Sequence, residues 1–313
     1  MEDIDLARSR PEYESMIIDD LSWFGLDWDG AVIRQSERGD LYEAALKRLG
    51  PLVYPCFCTR KELRDMAGAP QSTHPAPGRT AFPDAGAPYP GTCRSLTKNE
   101  REQKIRSGRR ASLRLLCPPV TENDDEEVQK HFALLAAGTA ACQEYSDMSG
   151  GIFAFDDRIL GRQIFSLAGC GGDFALRRSD GVWAYQLAAV ADDIAIGVDS
   201  VVRGADILSS VPRQLYLSAL LGSPAPRYAH IPLLLTPDGE RLAKRHTAGD
   251  SPYSLASLRS SGTDPRDVLR FFMRLAGLSA DFTTPSSCVA DAQSIFSSLK
   301  GRELIILPDT LPF

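Results

Sequence analysis

The sequence predicts an α/β fold built on an open sheet, and three stretches carry that prediction. Residues 180–206, DGVWAYQLAAVADDIAIGVDSVVRGAD, open as a strand (Trp183, Ala184, Tyr185) that enters a helix with an apolar stripe at Leu187, Ala188, Val190 and Ala191. A second strand, Ser200 to Arg203, closes on Gly204. The loop GERLAKRHTA at 239–248 follows the apolar run 231–235 and gathers Arg241, Lys244 and Arg245, the cations a triphosphate site needs. A tyrosine and an arginine near the ends of neighbouring elements stand where open α/β sheets place their ligands.

At 313 residues the chain can bury a sizeable core, as one large or two modest domains. With 43% hydrophobic and 24% charged residues, its composition is that of an ordinary soluble protein. No apolar run approaches the roughly 20 residues of a membrane span, and the opening MEDIDLARSR is too charged for a secretory signal. The expectation is a cytoplasmic protein with no membrane partner. A net charge of −6 argues against broad nucleic-acid binding and against DNA. It leaves room for a shaped RNA, because a local basic run such as Arg101, Lys104, Arg106, Arg109 and Arg110 can serve either as an RNA contact or as a solvated helix face.

Along the chain, MEDID reads as the tail of a strand ending near Asp5. Met16, Ile17, Leu21 and Phe24 form a helical stripe that stops at Gly25, GLDWDG is a turn, and QSERGDLYEAALKRLG is a second amphipathic helix with Ser36 as its cap candidate. Residues 66–90 are rich in Pro, Gly and Ala without periodicity, the mark of a functional or disordered loop. Residues 110–116 read as a strand, 121–129 as an acidic exposed stretch and 132–142 as an apolar segment. Residues 173–178 read as a strand ending in a hairpin, and 254–278 as helices split at 262–265.

Seven cysteines, unevenly placed, fit metal use in a reducing compartment better than a disulfide framework. Cys56-x-Cys58 followed by Tyr89-x-x-x-Cys93 offers three thiolates and a phenol, where structural zinc takes four ligands. The residue types alone leave the fourth ligand open between Tyr89 and His74. The competing reading is three buried free thiols.

The blocks WAYQLAAVADD, VVRGADIL, PRQLYL and GERLAKRH, in that order, resemble the second half of the catalytic domain of glutamyl-tRNA synthetases, and GLDWD with QSER resembles its first part. The short chain after Lys244 leaves no room for a large anticodon-binding region, so the resemblance is to the short glutamyl-Q tRNA(Asp) synthetase branch. It implies a class I synthetase Rossmann-like catalytic domain with an inserted zinc-binding subdomain and a short helical C-terminal part. The expected division is 1–53 for the first part of that domain, 54–172 for the insertion with the zinc segment at 54–95, 173–250 for the second part and 251–313 for the C-terminal helices.

The same resemblance implies one structural Zn²⁺ held by Cys56, Cys58, Tyr89 and Cys93. It implies a glutamate site of Glu2, Tyr185 and Arg203. Lys244, at the second lysine of a KMSKS-type loop, is the expected catalytic residue, and with Arg241 it binds ATP and its Mg²⁺. Ala243 stands at that loop's usual serine. The implied partners are glutamate, ATP and tRNA(Asp) bearing queuosine. The structural alternative for Arg203 is an ion pair with Asp206 or Asp192. The family's first strand, its FAPSPTG loop and its HIGH-type helix start find no match here. Two expectations follow: a start assigned at an internal methionine of a longer protein, or a truncated form without adenylating activity. The alternative functions are an inactive zinc-containing RNA-binding or scaffold protein and a fragment of a glutamyl-tRNA synthetase.

Overall fold

The computed structural model describes residues 1–5, 9–59, 61–63, 89–122, 124–138, 147–239, 254–277, 298–302 and 304–306. Its elements begin with α1 (Pro11–Trp23), α2 (Gly39–Leu49), β1 (Val53–Cys56), α3 (Lys98–Arg106), β2 (Ser112–Leu115) and α4 (Glu126–Gly138). The hairpin β3 (Ile152–Asp157) and β4 (Gly161–Ser166) follows, then β5 (Phe174–Arg177), α5 (Tyr185–Ile196), β6 (Ser200–Gly204), α6 (Val211–Leu220) and β7 (Arg227–Ile231). The last are β8 (Leu233–Leu235), α7 (Leu255–Ser260), α8 (Pro265–Leu275) and β9 (Leu304–Ile306).

Strands β1, β2 and β5 form an antiparallel sheet in the order β1-β2-β5, β3 pairs with β4, and two parallel pairs, β6 with β7 and β8 with β9, complete the set among the described residues. The β6–α6–β7 crossover is what permits parallel pairing. Every residue of α6 is buried, as befits a helix enclosed on all sides. Leu215, Tyr216 and Leu220 of α6 pack with Tyr42, Leu46 and Leu49 of α2, Leu187 and Ala188 of α5, and Phe153, Leu115 and Leu176 of the sheets, in one core. The Tyr216 hydroxyl donates to the Leu116 carbonyl at 2.9 Å, which satisfies the polar end of a fully buried ring.

Helix α1 takes Pro11 at its first turn with Glu12 and Glu14 beside it, both favourable at the positive end of a helix, and the chain then turns at Gly25 with φ 70°. Its apolar stripe forms as expected, yet no residue of α1 is buried: Tyr13, Met16 and Ile17 stay 41–50% exposed. Ser36 does not cap α2. It lies in a 3-10 turn, Gln35–Glu37, two positions ahead of the cap position at Arg38, and its hydroxyl and N–H both donate to Asp3. Residues 1–5 are not a strand. They run beside 33–36 instead, through the Met1 ammonium to the Ile33 carbonyl at 2.6 Å and the Gln35 N–H to the Met1 carbonyl at 3.1 Å.

The expected strand at 183–185 reduces to one bridge between Trp183 and Arg177. Ala184 is the extended N-cap and Tyr185 already opens α5, which ends at Gly197 in the left-handed conformation (φ 79°) that glycine adopts without strain. The stretch 121–129 is not simply solvated: Asp124 pairs with Arg94 at 2.9 Å and α4 begins within it. The two C-terminal helices form on either side of Gly262, capped by Ser254 and Asp264. The region after them is not wholly helical, since its β-branched run supplies β9. Among the described residues, no helix is long and apolar enough to cross a membrane.

Candidate functional site

The parallel register of β6 and β7 sets Arg203 directly beside His230. Arg203 Nε donates to His230 Nε2 at 3.1 Å and Nη1 to the Tyr185 hydroxyl at 3.4 Å, while the guanidinium carbon lies 5.2 Å from the centre of the Tyr228 ring. Nη2 is buried and has no hydrogen-bond partner among the described residues. Tyr185 reaches Arg203 because it is the first residue of α5, whose seat against α2 is fixed by Asp192. That carboxylate accepts from Gln35 Nε2 at 2.8 Å, the Tyr42 hydroxyl at 3.0 Å and Arg38 Nε at 2.8 Å. The alternative reading of Asp192 as the partner of Arg203 therefore gives way to an Arg38 pair.

Behind Arg203, His230 is fully buried and its Nδ1 lies 2.6 Å from Asp157 Oδ2. Asp157, at the end of β3, also accepts from the backbone N–H groups of Ile159, Leu160 and His230 at 2.9–3.2 Å. Burial pushes the Asp157 carboxyl up, but the His230 ring and those N–H groups outweigh it and hold it below its ordinary value. Burial lowers the His230 imidazole, and the Arg203 charge adds to that, against the opposing pull of Asp157 and Asp206.

Asp193 links the remaining charged group to this cluster. Burial raises its carboxyl, Arg203 pulls it down, and Asp192 and Glu2 push it up, so Glu2 and Arg203 act on one point. Glu2 is exposed and lines a pocket of about 310 Å³ together with Ile17, Trp28, Ile33, Gln35 and Asp192. Arg203 and Tyr185 are not part of that pocket's wall. Lys244, Arg241, Arg245 and His74 lie outside the described residues.

The second cluster is a metal-ligand set. The Sγ atoms of Cys56, Cys58 and Cys93 lie within 4.8 Å of one another, with Cys58 and Cys93 3.6 Å apart. The Tyr89 hydroxyl is 3.3 Å from Cys56 Sγ and accepts the Cys93 N–H at 2.9 Å. Tetrahedral zinc with Zn–S bonds of about 2.3 Å sets sulfurs about 3.8 Å apart, and a phenolate oxygen at about 2.0 Å falls about 3.5 Å from each. The Cys58–Cys93 distance of 3.6 Å and the Cys56–Tyr89 distance of 3.3 Å match those edges, and the remaining sulfur pairs lie within 4.8 Å. Cys56 is the last residue of β1 and Cys58 stands two positions on; alternate residues of an extended chain share a face, which brings the two thiols to one side. Burial and the neighbouring Cys56 and Cys93 push the Cys58 thiol up to about 12, so a cation is what would let the thiols ionise together.

Sequence reasoning missed His230 and Asp157. The available signal was a lone histidine in the apolar strand 227–231 in line with Arg203, and an acid closing the apolar run of β3.

The catalytic-domain family described as tRNA synthetases class I (E and Q) matches residues 1–131 and 122–297. A glutamyl-Q tRNA(Asp) synthetase of Nitratidesulfovibrio vulgaris is 44% identical over 99% of this chain and 85% of its own length. One from Symbiobacterium thermophilum is 43% identical over 89% of this chain and 75% of its own length. Among solved structures, a glutamate tRNA ligase from Elizabethkingia meningosepticum, in complex with its amino acid, superposes with a TM-score of 0.64 at 20% identity, covering 99% of this chain. A glutamate-tRNA synthetase from Elizabethkingia anophelis gives a TM-score of 0.65 at 20% identity. The chain spans 60% of the length of each of these two structures, and at that identity the likeness concerns the fold.

Proposed function

The chain belongs to the class I tRNA synthetases (E and Q), by their catalytic domain, and from that premise we propose that it activates glutamate with ATP and transfers it to the queuosine base of tRNA(Asp). The observation that carries the amino-acid half is the half-buried Arg203 guanidinium, braced by Tyr185 and His230, whose buried Nη2 has no partner among the described residues. A desolvated cationic donor without an acceptor is costly, and a substrate carboxylate relieves that cost through the planar fork of the side chain. Tyr185 closes the site with its hydroxyl, and Glu2 accepts the substrate ammonium. The relatives' shared name supports the choice of tRNA(Asp) and queuosine.

Formation of a glutamyl-adenylate needs no protein nucleophile: the substrate carboxylate attacks the α-phosphorus of ATP in line and pyrophosphate leaves. Lys244 and Arg241 are assigned to the phosphates with Mg²⁺, where their charge stabilises what develops in the transition state. Cys56, Cys58, Cys93 and Tyr89 would hold a structural Zn²⁺ that ties the end of β1 to the segment around Cys93. The test is ATP–pyrophosphate exchange with the full chain. We expect exchange that depends on glutamate, proceeds without tRNA and is not supported by glutamine; glutamate-independent or absent exchange overturns the proposal.

A further inference from the structure

We propose that Asp157 and His230 are positioning residues for the amino acid: Asp157 keeps the imidazole proton on Nδ1, and the bare Nε2 then holds the Arg203 guanidinium in its gripping orientation. The inference rests on the reading of Arg203 as the carboxylate-binding residue.

The tautomer follows from the partners. Arg203 Nε is an obligate donor, so the His230 nitrogen 3.1 Å away must accept, and the one proton of a neutral imidazole belongs on Nδ1, 2.6 Å from Asp157. Asp157 cannot turn away, since three backbone N–H groups pin it. The chain Asp157–His230–Arg203–Tyr185 thus runs from the end of β3 through β7 and β6 to the first turn of α5, each link fixing the direction of the next.

A protonated His230 would present an N–H to an N–H, beside a fixed positive charge, and the link to Arg203 would open. The groups facing the imidazole set how hard that protonation is. They are Asp157 from β3, Arg203 from β6, Asp206 from the turn after β6, and the Tyr228 ring of its own strand, stacked at 6.0 Å between centroids. Asp193 of α5 faces the other side of Arg203, whose charge lowers its carboxyl against burial, Asp192 and Glu2. Burial and Arg203 together keep the ring neutral against the two carboxylates.

The bland reading is that the pair only ties β3 to β7. Two substitutions separate the readings. In His230→Asn the side-chain amide can still donate to Asp157 but cannot reach Arg203; in His230→Gln the longer amide carries an acceptor to Arg203 at the expense of Asp157. Glutamate-dependent pyrophosphate exchange and thermal melting are measured on both, on Arg203→Met and on the unaltered chain, from neutral to acid pH. We expect His230→Asn to raise the glutamate KM by roughly tenfold with the ATP KM unchanged and the melting temperature close to that of the unaltered chain. His230→Gln should recover most of that KM. The unaltered chain should lose glutamate affinity on acidification, and His230→Gln, which keeps Asp193, should flatten that loss. A normal glutamate KM in His230→Asn, or KM changes that follow the melting temperature in both variants, overturns the inference. If both variants fail to fold, an acid-side glutamate KM in the unaltered chain that moves no more than the ATP KM overturns it. If Arg203→Met leaves the glutamate KM unchanged, it is the reading of Arg203 that fails; if Arg203→Met raises it and His230→Asn does not, only the positioning role fails.

Discussion

Replacing Arg203 by methionine keeps the length and apolar stem of the side chain while removing every donor. In the structure this withdraws the bond to His230 at 3.1 Å and the longer one to Tyr185 at 3.4 Å, and it also removes the buried Nη2, which has no partner among the described residues. The two lost bonds come from a charged donor and cost about 1.5–3 kcal/mol each, and deleting an unsatisfied buried donor offsets about 1–3 kcal/mol of this, so stability should fall by about 2–3 kcal/mol. The substrate pays no such compensation: it loses a bidentate, charge-assisted pair at about 1.5–3 kcal/mol per hydrogen bond, a net loss of about 3–5 kcal/mol. That is a rise of about a hundredfold to several thousandfold in the glutamate KM at an almost unchanged ATP KM. Steady-state pyrophosphate exchange over a wide glutamate range reads both constants. Arg203→Lys should fall between, since an ammonium keeps the charge but neither the fork nor the donor toward His230. A glutamate KM within threefold of the unaltered chain would refute the reasoning.

Cys93→Ser should lower the bound zinc of the purified chain from about one equivalent to well below half, because one thiolate of the proposed tetrahedron is gone; equal metal in both proteins refutes the ligand set. Asp192→Ala strands Arg38, Gln35 and the Tyr42 hydroxyl, and breaking a buried pair of this kind costs about 3–5 kcal/mol, which calorimetry should show as a fall of roughly 5–10 °C in Tm. Acid titration of stability has a definite sign. His230 binds its proton less readily folded than unfolded, so its contribution is complete above the ordinary imidazole value and is lost as pH falls through it toward the lowered folded value. Asp157, held below the ordinary carboxylate range, contributes a second loss at lower pH. Urea midpoints measured from neutral pH downward should fall in that order, and His230→Gln should remove the first fall.

Local chemistry made much of the fold readable. Ser200-Val201-Val202 ahead of Gly204 is a strand for steric reasons, Gly197 ends α5, and Asp264-Pro265 starts α8, each through contacts a few residues long. The misreadings share a cause in distance along the chain. Ser36 has a cap's chemistry, yet Asp3, thirty-three residues away, claims its hydroxyl. Trp183 looks like a strand residue, but only Arg177 stands opposite it. Tyr185 and Arg203 were legible as site candidates, whereas the Asp157–His230 link spans seventy-three residues and follows from strand register, which no local pattern encodes. The stripe of α1 shows the converse, since periodicity specifies an apolar face without specifying what covers it.

The most direct test supplies the full chain with ATP, radiolabelled glutamate and tRNA(Asp) with or without queuosine. The account predicts label only on the queuosine-bearing tRNA, attached at that base and retained when the 3′ end is oxidised. Label on the 3′ end of tRNA(Glu), or equal labelling of both tRNA(Asp) forms, would contradict it.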